Sequence, residues 1–174
     1  MSKIKQFITF LIISNLLTLI FIAYSLIQHN VYQDRYLIDE IQVPLVQLQA
    51  TIQYQAENKW KNPELISFQS TKVQNAIDHV MRESYPSNGK LSKREKSNLF
   101  QIERVLRNLP QNSDYAVAKW KKADKQNAVA FEKTLKNVGL TKNAEVLDDR
   151  KRFMRQCETV AKESARYMKG HQQE

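Results

Sequence analysis

Apolar positions follow two different rhythms along this chain. From Phe7 to Ile27 (FITFLIISNLLTLIFIAYSLI) there is no charge, and 16 of the 21 positions are apolar. As a helix rising 1.5 Å per residue, such a run extends about 30 Å, the thickness of a bilayer's hydrocarbon core. Lipid offers the backbone no hydrogen-bond partners, so a helix is the form expected of it there. Beyond residue 28 the apolar positions recur at intervals of three and four, which is the period of helices with one buried face. Strand signals are scarce: there is little period-two alternation and there are few turn glycines.

The second rhythm predicts four or five antiparallel helices. Ile38, Ile41, Leu45, Leu48 and Ile52 form a seam of the kind seen in bundles and coiled coils. This first outer helix is expected to continue from the apolar run, with Pro44 kinking it or breaking it just before that position. Asn62-Pro63-Glu64 is a restart signal, with Asn as cap and Pro at the first helical position. The second helix then reaches about Glu83, with Ile66, Val73, Ile77 and Val80 inward. Residues 84–92 read as a loop. Ser92 and Glu95 form a capping box that opens a third helix carrying Leu99, Ile102, Leu106 and Leu109. A fourth helix is expected from about Asp114 to Asn137, with Val117, Trp120, Phe131 and Leu135 as core. Gly139 and Leu140 supply its C-terminal cap. Thr141 caps the last helix, whose core positions are Leu147, Met154, Cys157, Ala161 and Met168.

Charge sets the expected topology. Lys3 and Lys5 precede the apolar run, whereas Arg35 follows it among Asp34, Asp39 and Glu40. The Lys and Arg excess on the N-terminal side keeps that end cytoplasmic. The expected layout is a cytoplasmic stub at 1–6, a transmembrane anchor at 7–27, an extracytoplasmic helical bundle at 29–170 and a frayed tail at 171–174. The alternative is secretion after signal cleavage near Ser25, where Ala23-Tyr24-Ser25 offers small residues. Against it, the apolar core exceeds the usual ~7–15 residues of a signal peptide. Near the middle of the span lies Asn15, with Ser14 and Thr18 close by. Asn15 in particular favours contact with a second membrane helix, because an amide in lipid seeks a partner.

The net charge of +9 is unevenly spread. Residues 29–88 hold 5 basic and 7 acidic side chains, whereas residues 89–174 hold 20 and 11. Lys93, Arg94 and Lys96, then Lys119, Lys121, Lys122 and Lys125, then Arg150, Lys151, Arg152 and Arg155 form three basic runs. Such runs are solvated helix faces or an anion-attracting surface. The partners they imply are the membrane, a membrane or envelope protein, a second copy of the chain, and an anionic lipid or wall polymer. Nucleic acid ranks last, for want of a readout motif and a row of stacking aromatics.

Familiar catalytic constellations are missing. The 3 glycines are scattered, which excludes a phosphate-cradling loop, and the single cysteine excludes an internal disulfide and a multi-cysteine zinc site. His79 and Glu83 are one turn apart, but two ligands do not close a metal site. Cys157 falls at an inward helical position, as a core residue, with an intermolecular disulfide as the alternative. Asp148 and Asp149 diverge by about 100° on a helix and make no shared acid–base pair. No cofactor is expected, and the chain reads as a non-enzyme.

The segment YQDRYLIDEIQVPLVQLQATIQ (Tyr32 to Gln53), following an apolar span, resembles the entry of four-helix-bundle sensing modules in bacterial chemoreceptors and sensor kinases. It departs from them in having neither a second span nor a signalling domain after the last helix. Two functions are therefore carried forward. One is a membrane-anchored scaffold, assembly or regulatory subunit that binds an envelope protein or anionic envelope component. The alternative is a small-ligand-binding, sensor-like bundle acting through a membrane partner.

Overall fold

The computed structural model describes residues 3–83, 91–113, 116–142 and 149–170. Regular structure among them is helical: α1 (Lys3–Glu57), α2 (Glu64–Glu83), α3 (Lys93–Arg107), α4 (Lys122–Asn137) and α5 (Arg150–Gly170). Ser113 and Ala116 add an isolated antiparallel bridge. The chain divides into two compact units, Met1–Tyr36 and Leu37–Glu174.

In the first unit every described side chain up to Gln28 is exposed. The stretch Lys3–Gln28 is long and apolar enough to cross a membrane.

The second unit is built on the seam that the apolar spacing predicts. Ile38, Ile41, Leu45, Leu48 and Ile52 are completely buried, each burial stabilising the fold by about 1.5–3 kcal/mol. They share one core with Ile66, Val73 and Ile77 of α2, Leu99, Ile102 and Leu106 of α3, Phe131 and Leu135 of α4, and Phe153, Cys157 and Val160 of α5. Within it α3 packs on both α2 and α5, and α5 packs on α4. The Gln49 amide donates to Glu132 Oε1 at 2.6 Å, which joins α1 to α4.

Local caps account for several boundaries. The Ser92 N–H donates to the Glu95 carboxylate at 2.6 Å while the Glu95 N–H donates to Ser92 Oγ at 3.2 Å, the reciprocal pair expected of this motif. At the end of α4 Gly139 takes φ +85°, a conformation that L side chains rarely adopt. The Leu140 N–H then donates to the Leu135 carbonyl and the Gly139 N–H to the Lys136 carbonyl, at 2.9 and 3.0 Å. This double bond pattern turns the chain and drives Leu140 into the core.

Four expectations are corrected. α1 does not break before Pro44 but runs through it. Proline removes one backbone donor on a half-exposed side of the helix, and the buried residues Ile41, Leu45 and Leu48 hold the turn. α4 begins at Lys122 rather than near Asp114, and Val117 is 66% exposed. The reason is tertiary: Trp120 Nε1–H donates to Ser67 Oγ at 3.1 Å, and the Ala118 N–H donates to Asn112 Oδ1 at 2.9 Å. These anchors hold the segment out of helical register. Leu109 is buried but lies past the end of α3. Finally, Asp149, not Thr141, caps α5, its Oδ1 accepting from the Lys151 N–H at 2.8 Å. An ionised cap also complements the positive end of the helix dipole. The expected loop at 84–90, the start of the fourth helix at Asp114, Leu147, Asp148 and the tail 171–174 lie outside the described residues, as does the Met168 side chain.

Candidate interaction surfaces

The polar residues of the apolar segment first satisfy their own helix. Thr18 Oγ1 donates to the Ser14 carbonyl and Asn15 Nδ2 to the Leu11 carbonyl, both at 2.9 Å. The arrangement leaves the Asn15 carboxamide oxygen as the acceptor that a second helix in lipid would meet. Around it the apolar side chains are turned outward on every side of the helix, from Leu11 at 49% to Phe10 at 70% exposure.

The three basic runs divide once their neighbours are seen. Arg94 pairs with Glu158, which Lys162 also meets at 2.6 Å. Hydrogen bonds from Lys162 and Arg94 hold the Glu158 carboxyl below its ordinary pKa. Arg150 reaches both carboxylate oxygens of Glu95 at 3.2 Å and is half-buried doing so. Arg94 and Arg150 thus serve to lock α3 against α5. Lys96 is half-buried, and Lys93, Lys151, Arg152 and Arg155 are exposed. The middle run behaves differently. Lys119, Lys121 and Lys122 are exposed, and the Lys125 ammonium lies 5.6 Å from the Trp60 ring centroid.

Trp60 owes its position to an unusual corner. Lys59 and Trp60 both have φ +57°, a left-handed conformation that is costly for a bulky side chain. The corner is over-determined by its hydrogen bonds. The Trp60 N–H donates to the Gln55 carbonyl at 2.8 Å, and the Asn62 N–H donates to the buried Gln55 Oε1 at 3.0 Å. The half-buried indole packs against the core and against Trp120, with ring centroids 6.1 Å apart. Trp60 then walls an open depression of about 450 Å³ with the α4 residues Lys122, Lys125, Val129, Ala130 and Lys133.

A second open depression of about 560 Å³ lies along α1 and α2, lined by Asp39, Glu40, Val43, Pro44, Lys72 and His79 among others. His79 is exposed there, and the Glu83 side chain lies outside the described residues. Among the described residues no group of three or more His, Cys, Asp or Glu side chains converges as a metal site would require. Cys157 is fully buried, and burial pushes its thiol up to about 12. It is a neutral core group rather than a nucleophile.

Sequence reasoning missed the buried polar residues. Gln42, Gln49 and Gln55 of α1, Ser67, Ser70 and Gln74 of α2, Glu103 of α3 and Ser164 of α5 are all buried. Some answer one another locally: Gln74 donates to Ser70 Oγ at 3.1 Å, and Glu103 accepts from Arg107 Nε at 2.7 Å. The seven-residue spacing of Gln42 and Gln49 beside the leucine seam was the available signal. The depression beside Trp60 had none, because its walls come from residues more than sixty positions apart. No protein-family model matches the chain, and neither a curated protein nor a solved structure is found similar to it.

Proposed function

We propose that this chain is a non-catalytic, single-pass membrane protein whose helical unit binds a protein or anionic component of the cell envelope. In this reading Lys3–Gln28 spans the bilayer with its N-terminus in the cytoplasm, and the helices of the Leu37–Glu174 unit form an antiparallel bundle outside. It serves as a scaffold, assembly or regulatory subunit.

The observation that carries the reading is the distribution of exposure. The second unit buries its apolar seam completely, while the apolar surface of Lys3–Gln28 stays outward on all sides and calls for lipid. The outer unit's two described depressions are open rather than enclosed, which favours a docked surface over a captured small molecule. That geometry ranks the binding subunit ahead of the sensor-like alternative.

The test is in vivo crosslinking of tagged full-length protein, with protease added to intact cells in parallel. Expected are discrete crosslinked partners from the membrane or envelope, and digestion of the C-terminal unit. A C-terminal unit that is protected in intact cells and digested only after lysis would overturn the topology. Recovery of the chain without crosslinked species would overturn the binding role.

A further inference from the structure

Helix α4 has two working faces. Ala128, Phe131 and Leu135 point into the core. Lys122, Lys125, Val129 and Lys133, spaced 3, 4 and 4, line the depression beside Trp60. Among the described residues, none of these three lysines takes part in an ion pair. The two acids of α4 are committed elsewhere, Asp124 accepting the Lys121 N–H at 2.8 Å and Glu132 accepting Gln49 at 2.6 Å. Arg94 of α3 and Arg150 of α5 show the contrast, since they are held by Glu158 and Glu95.

We propose that this face of α4 docks an acidic amphipathic helix from a partner protein. The inference rests on the reading of the chain as a binding subunit, and it names the partner's chemistry. Lys125 and Lys133 are eight residues apart, about 12 Å along the axis. Between them the floor is apolar, formed by Val129, 40% exposed, and Ala130. A helix laid alongside presents carboxylates at that separation from positions i and i+7 or i+8. Its i+3 or i+4 position then sets an aliphatic side chain on Val129, which is helix-in-groove recognition with charged ends. A phosphate group satisfies the lysines and leaves the apolar floor uncovered. A sugar ring finds no free stacking platform, because Lys125 and Trp120 already pack against the Trp60 indole.

The test uses the full-length protein in phosphatidylcholine nanodiscs. The probe is a fluorescent helical peptide of about 20 residues, with Glu at i and i+7 and Leu at i+3 and i+4. The control peptide has the same composition with its Glu residues spread around the helix. The patterned peptide is expected to bind at least about tenfold more tightly than the control, and to weaken steeply with added salt. Lys125→Ala with Lys133→Ala should lose about tenfold or more, Lys125→Arg with Lys133→Arg should retain binding, and Val129→Glu should abolish it. Circular dichroism and urea midpoints check that each variant folds.

Equal binding of both peptides, or wild-type affinity in the double alanine variant, overturns the proposal. So does stronger competition from phosphatidylglycerol vesicles or polyphosphate than from the patterned peptide at equal charge, which assigns the face to lipid or to a phosphate polymer. If crosslinked partners persist in cells while the peptide fails to bind, this inference falls and the binding-subunit reading survives.

Discussion

The two halves of α1 use the same side chains and come to opposite ends. From Lys3 to Gln28, Ile, Leu and Phe surround the helix, and residues such as Ile8 and Leu16 are more than half exposed. From Leu37 to Ile52 the same residue types keep to one seam, and Ile38, Ile41, Leu45 and Leu48 are wholly buried. Apolar content alone therefore does not make a core; its angular distribution does. A helix that is apolar all round requires an apolar solvent, whereas a seam requires another helix.

The contrast is most open to attack in the first half. Arginine at the centre of a membrane helix costs about 2.5–3.5 kcal/mol, so Leu16→Arg with Ile20→Arg removes about 6 kcal/mol of insertion energy. The double variant is expected to leave the membrane fraction on alkaline carbonate extraction, and its retention there would break the comparison. Next in size is a matched pair of truncations. Leu45→Ala should cost about 2–5 kcal/mol in urea unfolding of detergent-solubilised protein followed by tryptophan fluorescence. Leu16→Ala should leave that midpoint unchanged, since both tryptophans report on the second unit.

A third test sharpens how dry the seam's core is. The Cys157 thiol stands at about 12 in the fold, above the ~8.5 of an unfolded cysteine. The unfolded chain therefore loses its thiol proton first, and this contribution to stability is complete below about 8.5 and lost as pH rises toward 12. Between pH 7 and 10 the wild type should lose about 2 kcal/mol more than Cys157→Ala. Equal slopes would mean that water reaches the thiol. The smallest effect is expected at the end of α4. Gly139→Ala should cost roughly 1–2 kcal/mol through backbone conformation alone. The added Cβ would meet only the Gln156 side chain, at an ordinary 3.6 Å.

Much of the helical architecture was legible in advance, and the reasons are local. The Ser92–Glu95 box, the Gly139 turn and the 3–4 spacing of the seam depend on residues within one or two turns of each other. The errors came where a distant residue intervened. Trp120 and its partner Ser67 are 53 positions apart, and that contact helps hold 116–121 out of helix α4. Of the kink or break expected at Pro44, the break does not form, because buried residues on either side hold the helix through it. In the basic runs, residue type marked the charges but not their company, and Arg150 was counted as surface although it reaches both carboxylate oxygens of Glu95.

By itself the order of residues determined the outward-greasy segment, the helical nature of the elements, the Ser92–Glu95 cap and the Gly139 turn, since each follows from chemistry repeated every three to four positions. Only the folded chain decided which polar groups enter the interior, where α4 starts, and which basic side chains meet a carboxylate among the described residues. Those outcomes depend on which surfaces meet, and helices far apart in the chain meet only after they pack.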